Sequence, residues 1–212
     1  MRRRRILGWT GLMALVAGVL FIVVQPLHPP DTLASVVTQR WVTIHYVSLL
    51  MTILFGIGIT GIYLRQAEET GWLGLVGVIV LNLALIITAM MVFVEAFVSP
   101  VLADRDPEYV DSLLGMVEGT ATEVDLGALA GLWSVSGVLF PLGCFLVGLA
   151  LWRARISPRW AAAIFGVGLL VAVAVVSMLP NDLQRLGAVP IGVGLAWLGY
   201  DHWASMRSQS SA

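Results

Sequence analysis

Residues 73–98 read LGLVGVIVLNLALIITAMMVFVEAFV, an apolar run interrupted only by Asn82, Thr88 and Glu95 among its polar side chains. At ~1.5 Å per residue such a run is long enough to cross a ~30 Å hydrocarbon layer. It predicts a membrane helix, with Trp72 as an interfacial anchor. Asn82 then lies ~15 Å in, near the midplane, and Glu95 ~33 Å in, at the far boundary. Thr88 precedes Glu95 by seven positions and shares its face, whereas Asn82 points elsewhere. The expectation for Asn82 is an interhelical hydrogen bond; for Glu95 it is a carboxylate reaching headgroup water. Glu95 is still the carboxylate set most clearly inside an apolar run, so the search for a site starts there.

The rest of the composition agrees with a membrane chain. Of 212 residues, 58% are hydrophobic and 12% charged, with a mean hydropathy of +0.91. Soluble domains carry about 25% charged residues. A net charge of −1 gives no case for a nucleic-acid partner. All twelve basic residues are arginine, which excludes lysine Schiff bases, retinal attachment and a phosphate-loop lysine. Arginine-only usage also points to a GC-rich prokaryotic genome. Three histidines are too few for a carrier with four-histidine haem ligation, and the single Cys144 cannot form an intrachain disulfide.

Six apolar runs are expected to span, at residues 6–24, 42–64, 73–98, 127–152, 160–179 and 186–203, in a single all-α transmembrane domain covering 1–212. A β-barrel is ruled out because the runs are continuous, not alternating. Arg2 to Arg5 before the first run resemble a twin-arginine export signal, but the run is too long and lacks a small-residue cleavage site, so it reads as an anchored span. Asp31 is expected to cap a helix that continues into the second span, where Trp41 and Tyr63 mark the two interfaces. Arg65 to Gly71 reads as a short turn. Small residues Gly56, Gly58, Thr60 and Gly61 predict close helix approach. The stripe Gly137, Pro141, Cys144 and Gly148 predicts the same for the fourth span, with a kink at Pro141. Asn181 and Gln184 fit a capping box for the sixth. No repeat relates spans 1–3 to spans 4–6.

Between the third and fourth spans, residues 104–125 are acidic, with Arg105 as their one basic residue. Asp106-Pro107 is a helix start, Val110, Leu113, Leu114 and Val117 recur at helical spacing, and Gly119 is a stop. This predicts an amphipathic helix on the outer surface or capping the bundle. No EF-hand spacing is present. Nine arginines (Arg2 to Arg5, Arg65, Arg153, Arg155, Arg159, Arg207) fall on one side of this arrangement and three (Arg40, Arg105, Arg185) on the other. The positive-inside rule then puts both termini in the cytoplasm and the chain in the inner cell membrane as a multi-pass protein. Residues 151–161, LWRARISPRWA, hold a Pro158-Arg159-Trp160 turn. The turn resembles one after the fourth helix in a family of uncharacterised bacterial six-span membrane proteins. The resemblance implies a similar span number and carries no catalytic residues.

Trp41, His45, Ser48 and Thr52 share one face of the second span. His45 lies ~6 Å inward of Trp41, a depth similar to that of Glu95 on the next antiparallel helix, so the two are expected side by side. The candidate polar site is His45, Ser48, Thr88 and Glu95. With His28 from the proline-rich turn, His45 and Glu95 would form a divalent-metal set, against the plainer reading of a helix-helix hydrogen bond. His202 belongs to the other end and cannot join them, which excludes a three-histidine zinc amidase. No Gly-x-Ser-x-Gly elbow occurs, so no catalytic residue is assigned. The expected function is a non-enzymatic structural, accessory or sensory bundle without a cofactor, in contact with the lipid bilayer and with a membrane-protein partner or a second copy. The alternatives are a small cation or solute transporter or channel subunit, and a metal-dependent membrane enzyme using His45 and Glu95.

Overall fold

The computed structural model describes residues 2–120, 123–176 and 185–208, and among these the chain is helical with no strand. The long helices are α1 (Arg2–Leu27), α3 (Gln39–Arg65), α4 (Ala67–Phe93), α7 (Ala128–Ala154), α8 (Arg159–Val176) and α9 (Val189–Ser208). Three short ones, α2 (Leu33–Val36), α5 (Ser99–Leu102) and α6 (Pro107–Glu118), lie between them. Among the described residues, four helical stretches are long and apolar enough to cross a membrane: Leu7–Leu27, Gln39–Arg65, Ala67–Leu102 and Ala128–Ala154.

Each long helix packs mainly on two others. α1 contacts α3 and α9, α3 contacts α4, α4 contacts α7, α7 contacts α8, and α8 contacts α9, so the six close a ring in chain order. Short loops between antiparallel helices produce this arrangement. All six feed one core, through Ala14, Phe55, Leu81, Val147, Phe165 and Leu195. Near the middle of α3, Phe55 meets Phe21, Phe140 and Phe165 at centroid distances of 6.1, 6.1 and 6.0 Å. Glycine sets the tightest seam. A Cβ on Gly18 or Gly199 would overlap the facing backbone at Ala196 or Leu15, so α1 and α9 meet backbone to backbone.

The ring is apolar outside as well as inside: Val138, Ile86 and Val171 are 65%, 58% and 55% exposed. Trp9, Trp72 and Trp160 stand out from one end, where aromatic side chains suit a membrane interface. At that same end Gln66 Nε2 donates to Ser157 Oγ at 2.8 Å, tying the α3–α4 and α7–α8 turns together.

Several local expectations change. Thr32, not Asp31, caps α2, accepting from Ser35 N. A second cap at Thr38 starts α3 separately, so the two helices do not merge. Residues 67–70 are helical instead of forming a turn, and the break falls at Gly71, whose φ of 55° favours glycine. Trp41 is no interfacial anchor: it is fully buried, with Val36, Val110 and Leu114 around it. α7 runs on through Pro141, and only the Cys144–Gly148 half of its small stripe is used, against Gly166 of α8. The helix over residues 107–118 is present, with Asp106 Oδ1 accepting from Tyr109 N and Gly119 left-handed at its end. Its apolar face covers α2, α3, α4 and α7 at one end of the ring. The Asn181–Gln184 capping box and the end of the fifth run, residues 177–179, lie outside the described residues.

Candidate functional site

Polar side chains gather where α6 caps the ring. After α1, Arg40 Nε and Nη2 donate to the Leu27 carbonyl at 3.1 and 3.0 Å, closing that helix end. His28 Nδ1 donates to the Pro29 carbonyl at 2.7 Å. Its ring meets those of His45 and Trp41 edge to face, at centroid distances of 5.0 and 5.8 Å. The Asp31 carboxylate, 6% exposed, pairs with Arg185, which sits in the single 3-10 turn Arg185–Ala188 before α9.

The first turns of α3 bring in Trp41 and His45, whose rings lie 4.2 Å apart, tilted by 31°. His45 Nδ1 donates to the Trp41 carbonyl at 2.8 Å, because a carbonyl can only accept. The Trp41 indole donates in turn to the backbone carbonyl of Glu95 at 2.8 Å. That carbonyl is free for a reason written in the sequence. Glu95 lies in a π-helical turn, Val94–Val98, that follows α4. Its α-helical donor would be Ser99 N, but Ser99 N bonds Val94 O. The next donor along would be residue 100, a proline with no N–H. Trp41 fills the vacancy.

The side chains then face each other. Glu95 Oε2 lies 3.5 Å from His45 Nε2, and the two side chains are 15% and 2% exposed. With the Nδ1 proton of His45 held by Trp41, Nε2 of a neutral imidazole is a bare lone pair. Two bare acceptors at this distance repel, so the pair is stable only with one further proton, carried by Glu95 or by an imidazolium. Asp31 and Arg185 act electrostatically on both groups. Burial, followed by the charge of Arg185, lowers the pKa of His28 from the usual 6.5 to about 4. Burial raises that of Asp31 against the opposing pull of Arg185.

His45, Glu95 and His28 thus meet at one end of the ring, and the contact expected from matching depth is present. Glu95 turns toward His45 and not out toward headgroup water. Ser48 is buried on the same face of α3 as His45. Thr88 belongs elsewhere: its hydroxyl pairs with Ser136 Oγ at 3.1 Å, across the α4–α7 seam. Among the described residues no three His, Cys, Asp or Glu side chains form a metal-binding group, and the Nδ1 atoms of His28 and His45 are both engaged by carbonyls. Asn82 bonds Thr60 Oγ1 at 3.1 Å, an interhelical contact. His202 sits at the opposite end, its Nε2 donating to Leu7 O at 2.8 Å. Sequence reasoning missed Asp31 and Arg185 because nothing local links residues 154 positions apart. It also missed the Trp41–Glu95 bond, although Pro100 was the signal for it. No protein-family model matches the chain, and neither a curated protein nor a solved structure matches it.

Proposed function

We propose that the chain is a six-span membrane protein working as a non-enzymatic sensory bundle, in which His45 and Glu95 hold a proton whose gain or loss is read by the packing of Trp41. The observation that carries this reading is the 3.5 Å approach of Nε2 to Oε2 with Nδ1 already committed to the Trp41 carbonyl. One residue, Trp41, touches both partners: its ring lies against that of His45 and its indole bonds the Glu95 carbonyl. Loss of the shared proton therefore strains a π turn, an element that recurs at functional positions. Closure of six consecutive helices supports an even number of spans, and the nine-to-three arginine distribution supports cytoplasmic termini with α6 outside, in the inner cell membrane. A cation or solute pathway would need polar groups through the middle of the ring, where Phe21, Phe55, Phe140 and Phe165 pack instead. The metal-enzyme alternative lacks a converged ligand set among the described residues.

The test is infrared difference spectroscopy of the protein in liposomes during a pH titration. A carboxylic C=O band should appear or vanish with pH, be absent in Glu95→Gln, and titrate together with Trp41 fluorescence, isolated by comparison with Trp41→Phe. An unchanged pH response in Glu95→Gln would refute the proposal.

A further inference from the structure

The turn between α7 and α8 carries three arginines, Arg153, Arg155 and Arg159, all exposed. No Asp or Glu occurs in the sequence from residue 126 to residue 180. The three side chains make no hydrogen bond or ion pair with a described residue, whereas Arg40, Arg65 and Arg185 each meet a carbonyl or a carboxylate. A positive-inside bias accounts for the number of these arginines. It does not account for two features of their placement. Arg155 closes α7 in the left-handed region, at φ 59°, and no other non-glycine among the described residues does so. Glycine usually fills such a position because a Cβ is unfavourable there, so the arginine stands against the preference of the backbone. Arg159 has its guanidinium 4.2 Å over the ring of Trp152. That contact holds the group in place and leaves its N–H edge for an acceptor.

The surroundings define that acceptor. Trp160 and Trp152 are 75% and 40% exposed beside these arginines, and indole rings suit the level of lipid headgroups. The anion met at that depth is the phosphate of a phospholipid, which a planar guanidinium matches through paired N–H donors. The start of α4 lies alongside, tied to this turn by the Gln66–Ser157 bond, and it exposes Glu68 and Glu69. Arg153 shares a small pocket of about 150 Å³ with Glu69, so its charge is offset locally. Arg155 and Arg159 are left to take the anion. Resting on the six-span membrane reading above, we infer that Arg155 and Arg159 hold the phosphate of an anionic phospholipid of the inner leaflet, with Trp152 and Trp160 against the carbons below it.

The experiment places the full chain in phosphatidylcholine liposomes and reads quenching of Trp160 by phosphatidylglycerol brominated on its acyl chains. Brominated phosphatidylcholine is the reference, and the Trp160 signal is the difference from Trp160→Phe. The ratio of the two binding constants should favour phosphatidylglycerol, and Arg155→Gln and Arg159→Gln should each lower it about fivefold. Arg153→Gln, beside Glu69, should lower it far less. Arg155→Gly relieves the left-handed backbone, so it should melt no lower than wild type and still lose the preference. Free phosphate is the other source of the same chemistry, and excess inorganic phosphate at matched ionic strength should leave the preference in place. Equal quenching by the two lipids, equal losses in Arg153→Gln and Arg159→Gln, or displacement by inorganic phosphate would overturn the proposal. Flotation separates the two failures. Protein that does not float with liposomes defeats the membrane reading, whereas protein that floats without preferring the anionic lipid defeats this inference alone.

Discussion

His28 gives the sharpest prediction about stability. Its side chain is 13% exposed, and burial with the charge of Arg185 lowers its pKa from 6.5 to about 4. In the unfolded chain the imidazole takes a proton near pH 6.5; in the folded chain it stays neutral until about pH 4. Between those values the unfolded state binds more protons, so stability falls as the pH falls, and the loss levels off below the folded value. The interval corresponds to roughly 3 kcal/mol at about 1.36 kcal/mol per pH unit. The surrounding groups are Asp31, His45, Glu95, Arg40 and Arg185, so the test must be a difference. His28→Asn keeps an N–H directed at the Pro29 carbonyl and removes the titration. Thermal unfolding in nanodiscs from pH 7.5 to 3.5 should show the wild-type midpoint falling faster than that of His28→Asn. At ~2–4 °C per kcal/mol the gap amounts to roughly 6–12 °C. Parallel curves for the two proteins between pH 7 and 4 would show that the histidine is not held neutral by its surroundings.

Four further outcomes can be checked. Glu95→Gln should lie within about 1 kcal/mol of wild type near neutral pH, because the amide can donate to His45 Nε2. Glu95→Leu leaves that atom unpaired and should be about 1–3 kcal/mol worse in the same melts; equal melting of the two would speak against the contact. Trp41→Phe removes the donor from the Glu95 carbonyl and should cost about 1–3 kcal/mol, with faster amide exchange over residues 94–102 as the local sign. Asp111→Cys, on the exposed face of α6, should react with an impermeant maleimide added outside intact cells, while the buried Cys144 gives no background; labelling only after lysis would reverse the topology. Pro100→Ala restores an N–H that can reach the Glu95 carbonyl in competition with the Trp41 indole, and Trp41 fluorescence should report the loss of that carbonyl partner.

How much of this was legible in the sequence depends on the range of the interaction responsible. Membrane helices are written as continuous apolar composition, so four of the expected spans stand out by length and hydropathy alone. α6 was readable because Asp106, Pro107 and Gly119 act through the nearest backbone. Asn82 was readable as an interhelical contact because a midplane amide in hydrocarbon needs a partner. Trp41 was not, since an aromatic at a helix end looks the same whether lipid or α6 covers it. Thr88 was misplaced because which neighbouring helix takes a given side chain is not written locally: α7 takes Thr88 and α3 takes Glu95.

Pro100 and the backbone of Trp41 act on the same pair from two sides. With Ser99 N bonded to Val94 O in the π turn and no N–H on Pro100, no backbone donor reaches the Glu95 carbonyl. The indole of Trp41 supplies one, which holds the start of α3 against the end of α4. The carbonyl of that same Trp41 takes the Nδ1 proton of His45, so the other nitrogen of the ring is left as an acceptor directed at the Glu95 carboxyl group. The tautomer of His45 is set within α3 itself, by the backbone carbonyl of Trp41 four residues earlier. The requirement for a shared proton follows from those bonds. It does not depend on how apolar the surroundings are, so a variant that opens the site to water should retain the proton-holding geometry, and so should Trp41→Phe, which keeps the backbone carbonyl that holds Nδ1.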